Sequence, residues 1–205
     1  MQKIDEDIGL LCSNALRYGA SKAAPIASKE VVLDPRVRLK CLVPLCSSYG
    51  VGLTCPPNVP DPEEVSIILD KYRHAILIQM PFSMNKEFVG LVEKGAPLAD
   101  TRKDTNYQET LARNFRQLVE ILCKLEADAQ TMGYRFAAAL SGGSCRLCDE
   151  CVGQKSGEPC RHPFMARPAM EAVGIDVVQT AKNAGMPFEF PAKGDPTLTG
   201  ILFVD

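Results

Sequence analysis

Apolar residues recur at helical spacing in two stretches of the chain. Residues 4–16 predict a first helix that ends near Gly19. A longer stripe predicts a helix over 106–132, which Gly133 then stops. The apolar positions of this longer stripe are Leu111, Phe115, Leu118, Val119, Leu122, Leu125 and Ala129.

Capping signals predict three shorter helices. Asp61 is a cap candidate, Pro62 suits the first helical position and Glu64 lies three residues after the cap, so a helix is expected from here to about Tyr72. A short helix is predicted to start at Pro168. A further capped helix is predicted over 176–185.

Short apolar runs predict the strands, at 30–33, 74–80, 134–140, 188–190 and 199–204. The last two are expected to form a hairpin through 193–195, and 81–104 is expected to be a lid or an irregular insert. Strands that alternate with helices predict an α/β or α+β fold. We therefore expect a single domain over 1–205, in which a small central sheet is flanked by helices and carries two Cys-rich metal loops, 35–60 and 141–163.

Composition narrows the function classes. The chain has 205 residues, of which 46% are hydrophobic and 23% charged, as in folded proteins. A net charge of -2 predicts no nucleic-acid partner, and no apolar run approaches the ~20 residues of a membrane span. The charged start of the chain does not resemble a signal peptide, so a cytoplasmic location is expected. Nothing in the sequence decides the oligomeric state.

Cysteine is the unusual component, with nine Cys against two His and no Trp. In a reducing cytosol, clustered Cys bind metal or carry out redox chemistry more often than they form disulfides. The odd count would also leave one thiol outside any closed set of disulfides.

The sharper of two cysteine groups is Cys145-x2-Cys148-x2-Cys151-x8-Cys160. Zinc ribbons take their ligands as two separated Cys pairs, whereas three Cys at this spacing wrap around an iron–sulfur cubane and a remote Cys completes the site. The Ser-Gly-Gly-Ser run at 141–144 can aim backbone N–H groups at such an anionic centre. This pattern predicts a [4Fe–4S] cluster, with zinc as the alternative.

The other group is Cys41-x4-Cys46-x8-Cys55, followed by Pro56-Pro57. Its spacing fits no zinc knuckle, and a Cys-Pro step also closes the cysteine run of ferredoxins. The competing interpretation is three buried thiols in a Pro-rich loop. As metal ligands they would hold a second cluster.

Three local thiols do not complete a cubane, and several completions stay open. Cys12 or Cys123 would supply a fourth thiolate, although both lie on apolar helix faces and are expected to be packing residues. Alternatively, the two clusters would exchange ligands, and Cys55 and Cys160 would be the exchanged thiolates. His162 would ligate, or the fourth iron would be open to a substrate.

Charged residues accompany both groups. Arg36, Arg38 and Lys40 precede Cys41. The Cys145–Cys160 group is surrounded by Arg146, Arg161, His162 and Arg167, where cations would offset the charge of a cluster. Glu171 and Asp176 are either an acid/base pair or carboxylates at helix starts, which is the commoner role.

Together these motifs resemble a known family. The two cysteine groups, Pro159-Cys160-Arg161-x-Pro163 and the run from Arg167 to Asp176 are similar to a cysteine-rich family of prokaryotic proteins, described as predicted metal-binding and of unknown function. The resemblance covers nearly the whole chain and implies metal binding through these Cys in anaerobic or facultative prokaryotes. It implies no reaction. Ala169 departs from the Ser more usual there, and Ala also suits a helix start.

Three functions follow from these features. The first is an iron–sulfur protein with one or two [4Fe–4S] clusters that passes electrons to a redox partner protein. The second is an enzyme or sensor with an open-iron cluster at Cys41, Cys46 and Cys55, and the third is a structural zinc module. No G-x-G-x-x-G or Walker motif occurs, so nucleotide chemistry on those motifs is not expected.

Overall fold

A computed structural model describes residues 2–82, 105–188 and 196–205. Four strands form one sheet in the order β1-β2-β4-β3, and every pairing among them is antiparallel. The strands are β1 (Lys22–Ala27), β2 (His74–Pro81), β3 (Ala138–Leu140) and β4 (Thr197–Val204). The sheet with its flanking helices confirms the predicted fold class, and the antiparallel pairing makes it α+β.

The described helices are α1 (Gln2–Tyr18), α2 (Leu39–Leu42), α3 (Pro62–Leu69), α4 (Thr105–Thr131) and α5 (Val177–Asn183). Short 3-10 helices occur at Ser28–Glu30, Pro35–Arg38 and Glu171–Val173. The two long helices, α1 and α4, agree with the apolar stripes. At the start of α3 the Asp61 carboxylate accepts the Glu64 N–H at 2.9 Å, and the Glu64 carboxylate accepts the Asp61 N–H at 3.1 Å, so the predicted capping box is confirmed.

The sheet lies between two layers. On one face α1 and α4 pack against residues such as Ile76, Ile78 and Leu202, which alternate along the strands with those of the opposite face. On the other face Leu77 and Phe203 belong to a second core with residues of α3, α5 and the 3-10 helix Glu171–Val173. The sheet is therefore buried on both sides.

The strand predicted at 30–33 is wrong. The first strand is β1, and Glu30 ends a 3-10 helix. Val31 packs into the core, and Leu33 makes only an isolated bridge to Ile175. Three alanines and Pro25 make β1 a weak strand by composition, but β1 is an edge strand, where Pro is tolerated.

Other boundaries differ for local reasons. The strand predicted at 134–140 is limited to β3, because the chain first turns at Gly133, where φ is +102°, and the Ala137 N–H donates to the Tyr134 carbonyl at 3.0 Å. No helix starts at Pro168: the helical turn begins at Glu171. The hairpin at 193–195 and nearly all of the lid at 81–104 lie outside the described residues.

No described helix is long and apolar enough to cross a membrane. The organisation of the whole chain as a single domain stays a prediction.

A buried ion pair joins the long helix to the sheet and to the chain beyond it. Glu126 of α4 accepts the Ala139 N–H of β3 at 2.6 Å through one carboxylate oxygen. Its other oxygen accepts the Arg167 Nε–H at 2.9 Å. The Glu126 side chain is only 11% exposed and the Arg167 side chain only 16%. Removal of one partner therefore leaves the other's charge in a poorly solvated site.

We predict that Arg167→Met lowers the free energy of unfolding by about 3 kcal/mol, because Glu126 keeps its buried charge without a partner. The matched control is Arg73→Met, which breaks the ion pair with Asp205. The Arg73 side chain is 80% exposed in that pair, so this change should lower the free energy of unfolding by at most about 1 kcal/mol. Urea unfolding under anaerobic conditions measures both. Equal losses in the two variants would contradict the role given to the buried pair.

Candidate metal centre

Two segments carry the predicted ligands, and we call residues 35–60 the first cysteine loop and residues 141–163 the second cysteine loop. The second loop begins directly after β3. Its base is fixed because the Ser141 N–H donates to the Pro168 carbonyl and the Met170 N–H donates to the Ser141 carbonyl, both at 2.8 Å. A Cβ at position 142 would lie 2.7 Å from the Thr199 carbonyl oxygen, so this close approach to β4 requires Gly142.

The first cysteine loop is shaped by turns around its own cysteines. Cys41 lies in α2, and the Cys46 N–H donates to the Cys41 carbonyl at 3.0 Å. The Cys55 N–H donates to the Gly52 carbonyl at 3.1 Å, and Cys55 is buried. These bonds form turns that fix the backbone at each of the three cysteines.

Gln154 joins the two loops. Its backbone N–H donates to the Val51 carbonyl at 3.0 Å. Its side-chain amide donates to the carbonyls of Gly52 at 3.0 Å and Cys55 at 3.4 Å. Residues about a hundred positions apart are thereby held together, and no motif in the sequence marked Gln154 for this role.

Glu171 provides a second link between the loops. Its carboxylate accepts the Gly143 N–H of the second cysteine loop at 3.4 Å, and it lies near Lys40 and Cys41 of the first. Burial raises the pKa of the Glu171 carboxyl, an effect that these N–H and Lys40 contacts oppose. Asp176 instead caps α5 by accepting the Gln179 N–H at 3.0 Å, as expected for a carboxylate at a helix start.

The two loops and α4 enclose a cleft of about 1390 Å³. Six of the seven predicted ligands line it: Cys46, Cys55, Cys145, Cys148, Cys151 and Cys160. The seventh, Cys41, lies near Cys46, whose backbone N–H donates to the Cys41 carbonyl. Burial raises the pKa of the Cys41 thiol, and the charge of Cys46 raises it further. The structure thus brings both predicted groups to one place.

Cys55 lies between the two groups. The pKa of its thiol is raised to about 11, mainly because the thiol is buried and next because Cys46 and Cys41 lie close to it. Cys145 and Cys151 of the second cysteine loop contribute to the same rise. A thiolate at Cys55 would therefore be repelled from both sides unless a cation lay among these sulfurs.

In the second cysteine loop, Cys145 lies close to Cys148, Cys151 and Cys160. Burial is the main cause of the raised pKa of Cys145, and the charges of Cys160, Cys148 and Cys151 add to it, whereas a hydrogen bond from the Leu147 N–H opposes it. The His162 N–H donates to the Cys160 sulfur at 3.4 Å. The Gly143 N–H, expected to face the centre, instead faces Glu171.

The two remaining cysteines lie outside the cleft. Cys12 packs against the core formed by α1, α4 and the sheet, and burial alone raises the pKa of its thiol. Cys123 packs beside Phe115 and Val119. Its S–H donates to the Phe164 carbonyl, and the sulfur lies 3.7 Å from that oxygen. Cys145 packs against the same small cluster, which makes Cys123 the nearer of the two to the predicted ligands.

The expected cations are engaged to different degrees. Arg167 pairs with Glu126, so it does not serve the cleft as predicted. Arg146 and Arg161 line the cleft. Arg146 donates to the Gln108 side-chain oxygen at 2.7 Å, and Arg161 donates to the Glu150 carbonyl at 2.9 Å. His162 also lines it and is exposed.

A match to a known protein family covers both cysteine loops. A family model described as "predicted metal-binding protein (DUF2284)" matches residues 24–204. The chain belongs to the DUF2284 family. No curated protein and no solved structure matches this DUF2284 chain. The match includes all seven predicted ligands and leaves out Cys12, and its description extends to metal binding alone.

The donor set of this DUF2284 protein suits a thiolate-bound metal centre, because seven free thiols face one cleft or border it. Among the described residues, no group of three or more His, Cys, Asp or Glu side chains is arranged to hold a single metal ion. A tetrahedral zinc site needs sulfurs about 3.8 Å apart, given Zn–S bonds of about 2.3 Å. A cubane takes each thiolate on a different iron, so its sulfurs lie further apart.

We predict that Cys55 is the slowest of the cleft thiols to react with iodoacetamide in metal-free protein. With a pKa of about 11, only about one thiol in 1000 is ionised at pH 8, and burial limits access further. Its rate should be at least about 100-fold below that of exposed Cys151 and should rise about tenfold per pH unit up to pH about 11.

Mass spectrometry of peptides after timed labelling gives both rates, with circular dichroism as the control that the protein stays folded. Labelling of Cys55 as fast as Cys151 would show that the two loops do not enclose Cys55 as described.

Proposed function

We propose that this protein is an iron–sulfur protein that transfers electrons. One [4Fe–4S] cluster would be held by Cys145, Cys148, Cys151 and Cys160, and a second by Cys41, Cys46 and Cys55. The observation that carries the proposal is the junction of the two cysteine loops at Gln154, which leaves Cys55 beside thiols of both groups.

Ligand chemistry favours a cluster over zinc. The three-residue spacing of Cys145, Cys148 and Cys151 is the iron–sulfur pattern, and a zinc ribbon would use two separated pairs. Zinc remains the competing cofactor, to be decided by analysis.

The surroundings also suit a redox centre, whose clusters supply one-electron chemistry when bound. The Leu147 and His162 N–H groups donate to the sulfurs of Cys145 and Cys160. Such hydrogen bonds and the cations Arg146 and Arg161 stabilise added negative charge, which raises a reduction potential. These residues would therefore favour the reduced state.

The adjacency of the two groups gives the second centre a role. Cys55 lies close to Cys145 and Cys151, so electrons would need to cross only a short gap between the centres. Electrons would then leave through whichever centre faces a partner protein. Nine free thiols also agree with the reducing cytosol as the location.

A second candidate function is supported by the incomplete group of Cys41, Cys46 and Cys55. Beyond its own three thiols, the described thiols near Cys55 are Cys145 and Cys151, which belong to the other group. Cys12 packs elsewhere. A fourth iron at the first group would then carry a labile ligand such as solvent or His162, and an enzyme or sensor would use that position as a Lewis acid.

We predict that anaerobically purified protein binds about eight iron and eight acid-labile sulfide, or about four of each if only the group of Cys145, Cys148, Cys151 and Cys160 is loaded. Cys148→Ser should remove about four of each, because it deletes one thiolate of a four-thiolate set. Cys123→Ser is the matched control, and it should keep the wild-type content because its thiol donates to the backbone carbonyls of Phe164 and Met165 and lies outside the cleft.

Iron, sulfide and zinc analysis of the same samples decides between the cofactors. Colourless protein with one or two zinc and no sulfide would contradict the iron–sulfur assignment. Loss of iron from the Cys123 variant would make Cys123 a ligand.

We predict that Cys12→Ser retains both clusters, because Cys12 lies in the core of α1 and α4. If the first group has an open iron, added cyanide should change the electron spin resonance spectrum of the reduced wild-type protein, and the responding signal should vanish in Cys46→Ser. A wild-type spectrum that cyanide leaves unchanged would rule out the open site and leave electron transfer as the function.

A further inference from the structure

We propose that Gln154 is the positioning residue for the metal centre formed by Cys41, Cys46 and Cys55, which we call the Cys41 centre. Its side-chain amide reaches across from the second cysteine loop and holds the Cys55 thiol in the place that this centre requires. The centre of the second cysteine loop, which we call the Cys145 centre, does not depend on that amide. The inference rests on the proposed function, because it names a residue that this function needs.

The Gln154 amide acts on the turn that carries Cys55. Its Nε2 donates to the Gly52 carbonyl at 3.0 Å and to the Cys55 carbonyl at 3.4 Å. The Cys55 N–H donates to the same Gly52 carbonyl at 3.1 Å. The amide and the turn therefore share one acceptor, and the amide holds the turn at both of its ends.

The Cys55 sulfur lies beside the residue that the amide holds. A Cβ added at Gly52 would be 3.4 Å from the Cys55 Sγ and 3.7 Å from the Cys55 Cβ. Because the thiol packs this closely against the Gly52 backbone, a displacement of Gly52 changes the position of the sulfur. Gln154 thus acts on a ligand atom through the turn, as groups that orient metal ligands commonly do.

Loss of the amide should leave the protein folded. The Gly52 carbonyl keeps the Cys55 N–H as its donor, and the Cys55 carbonyl keeps the Asn58 N–H at 3.0 Å. The Gln154 backbone N–H keeps its bond to the Val51 carbonyl when only the side chain is changed. Neither acceptor of the amide loses its last donor, so the large cost of an unsatisfied buried group does not arise.

The amide serves the first cysteine loop although Gln154 belongs to the second. The two carbonyls that accept from it both lie in the first loop. In the second loop the His162 N–H donates to the Cys160 sulfur, a bond that does not involve Gln154. A change of the Gln154 side chain should therefore disturb the Cys41 centre and spare the Cys145 centre.

The first test uses metal-free protein, in which timed iodoacetamide labelling at about pH 8 measures how firmly each thiol is enclosed. Gln154→Ala should label Cys55 about tenfold faster than the wild-type protein, because the turn opens more often. Gln154→Glu should do the same, since its carboxylate has the same length but cannot donate. The matched control is Gln179→Ala on α5, whose amide donates to the Asn183 side chain at 3.0 Å, and it should leave the Cys55 rate unchanged.

Three labelling results would contradict the proposal. Wild-type rates at Cys55 in both Gln154 variants would show that the amide does not hold the thiol. A wild-type rate in Gln154→Glu alone would show that the side chain acts by filling space and not by donating. Equal acceleration at Cys145 would show that both loops have loosened together.

The second test uses anaerobically prepared, metal-loaded protein, with iron and sulfide measured on every sample. In both Gln154 variants the electron spin resonance signal that Cys46→Ser abolishes should be lost or shifted, and the signal that Cys148→Ser abolishes should be unchanged. Two unchanged signals would overturn the role of Gln154, and so would a wild-type protein that lacks the signal dependent on Cys46. Absence of iron and sulfide would overturn the proposed function instead, and the labelling rates would still decide whether Gln154 holds Cys55.

Discussion

Thiols from two distant parts of the chain meet in one cleft, and their mutual repulsion on ionisation is the constraint on which the site depends. Cys55 is the centre of this conflict, since burial and the thiols of both loops raise its pKa to about 11. A cationic metal centre would relieve both penalties, because it replaces the lost water and neutralises the sulfurs. Its binding free energy would then add to the stability of the loops.

The protein part of the site is held by groups that do not bind metal. Gln154 ties the backbone at Val51 and Gly52 to the second cysteine loop, and Gly142 lets that loop pass close to β4. Behind the loops, Glu126 and Arg167 fix the returning chain to α4. Thiols on short loops are thereby positioned by a sheet that is buried on both faces.

Much of this scaffold was predictable because its signals are local. The apolar stripe defines α4, and the capping box at Asp61 defines the start of α3. β1 was missed because Lys22–Ala27 is a poor strand by composition and forms only by pairing with β2. Glu126 carried a usable signal, a carboxylate four residues after Leu122 on the buried stripe. The junction at Gln154 carried none, since contacts between such distant residues are set by the whole fold.

Anomalous X-ray scattering from crystals grown without oxygen tests the joint metal centre most directly. Maps collected at the iron and zinc absorption edges locate each metal relative to the two cysteine loops. We predict iron density enclosed by Cys145, Cys148, Cys151 and Cys160, with a second iron site adjacent to it at Cys41, Cys46 and Cys55. Zinc in place of iron, or iron sites on separate sides of the molecule, would contradict it.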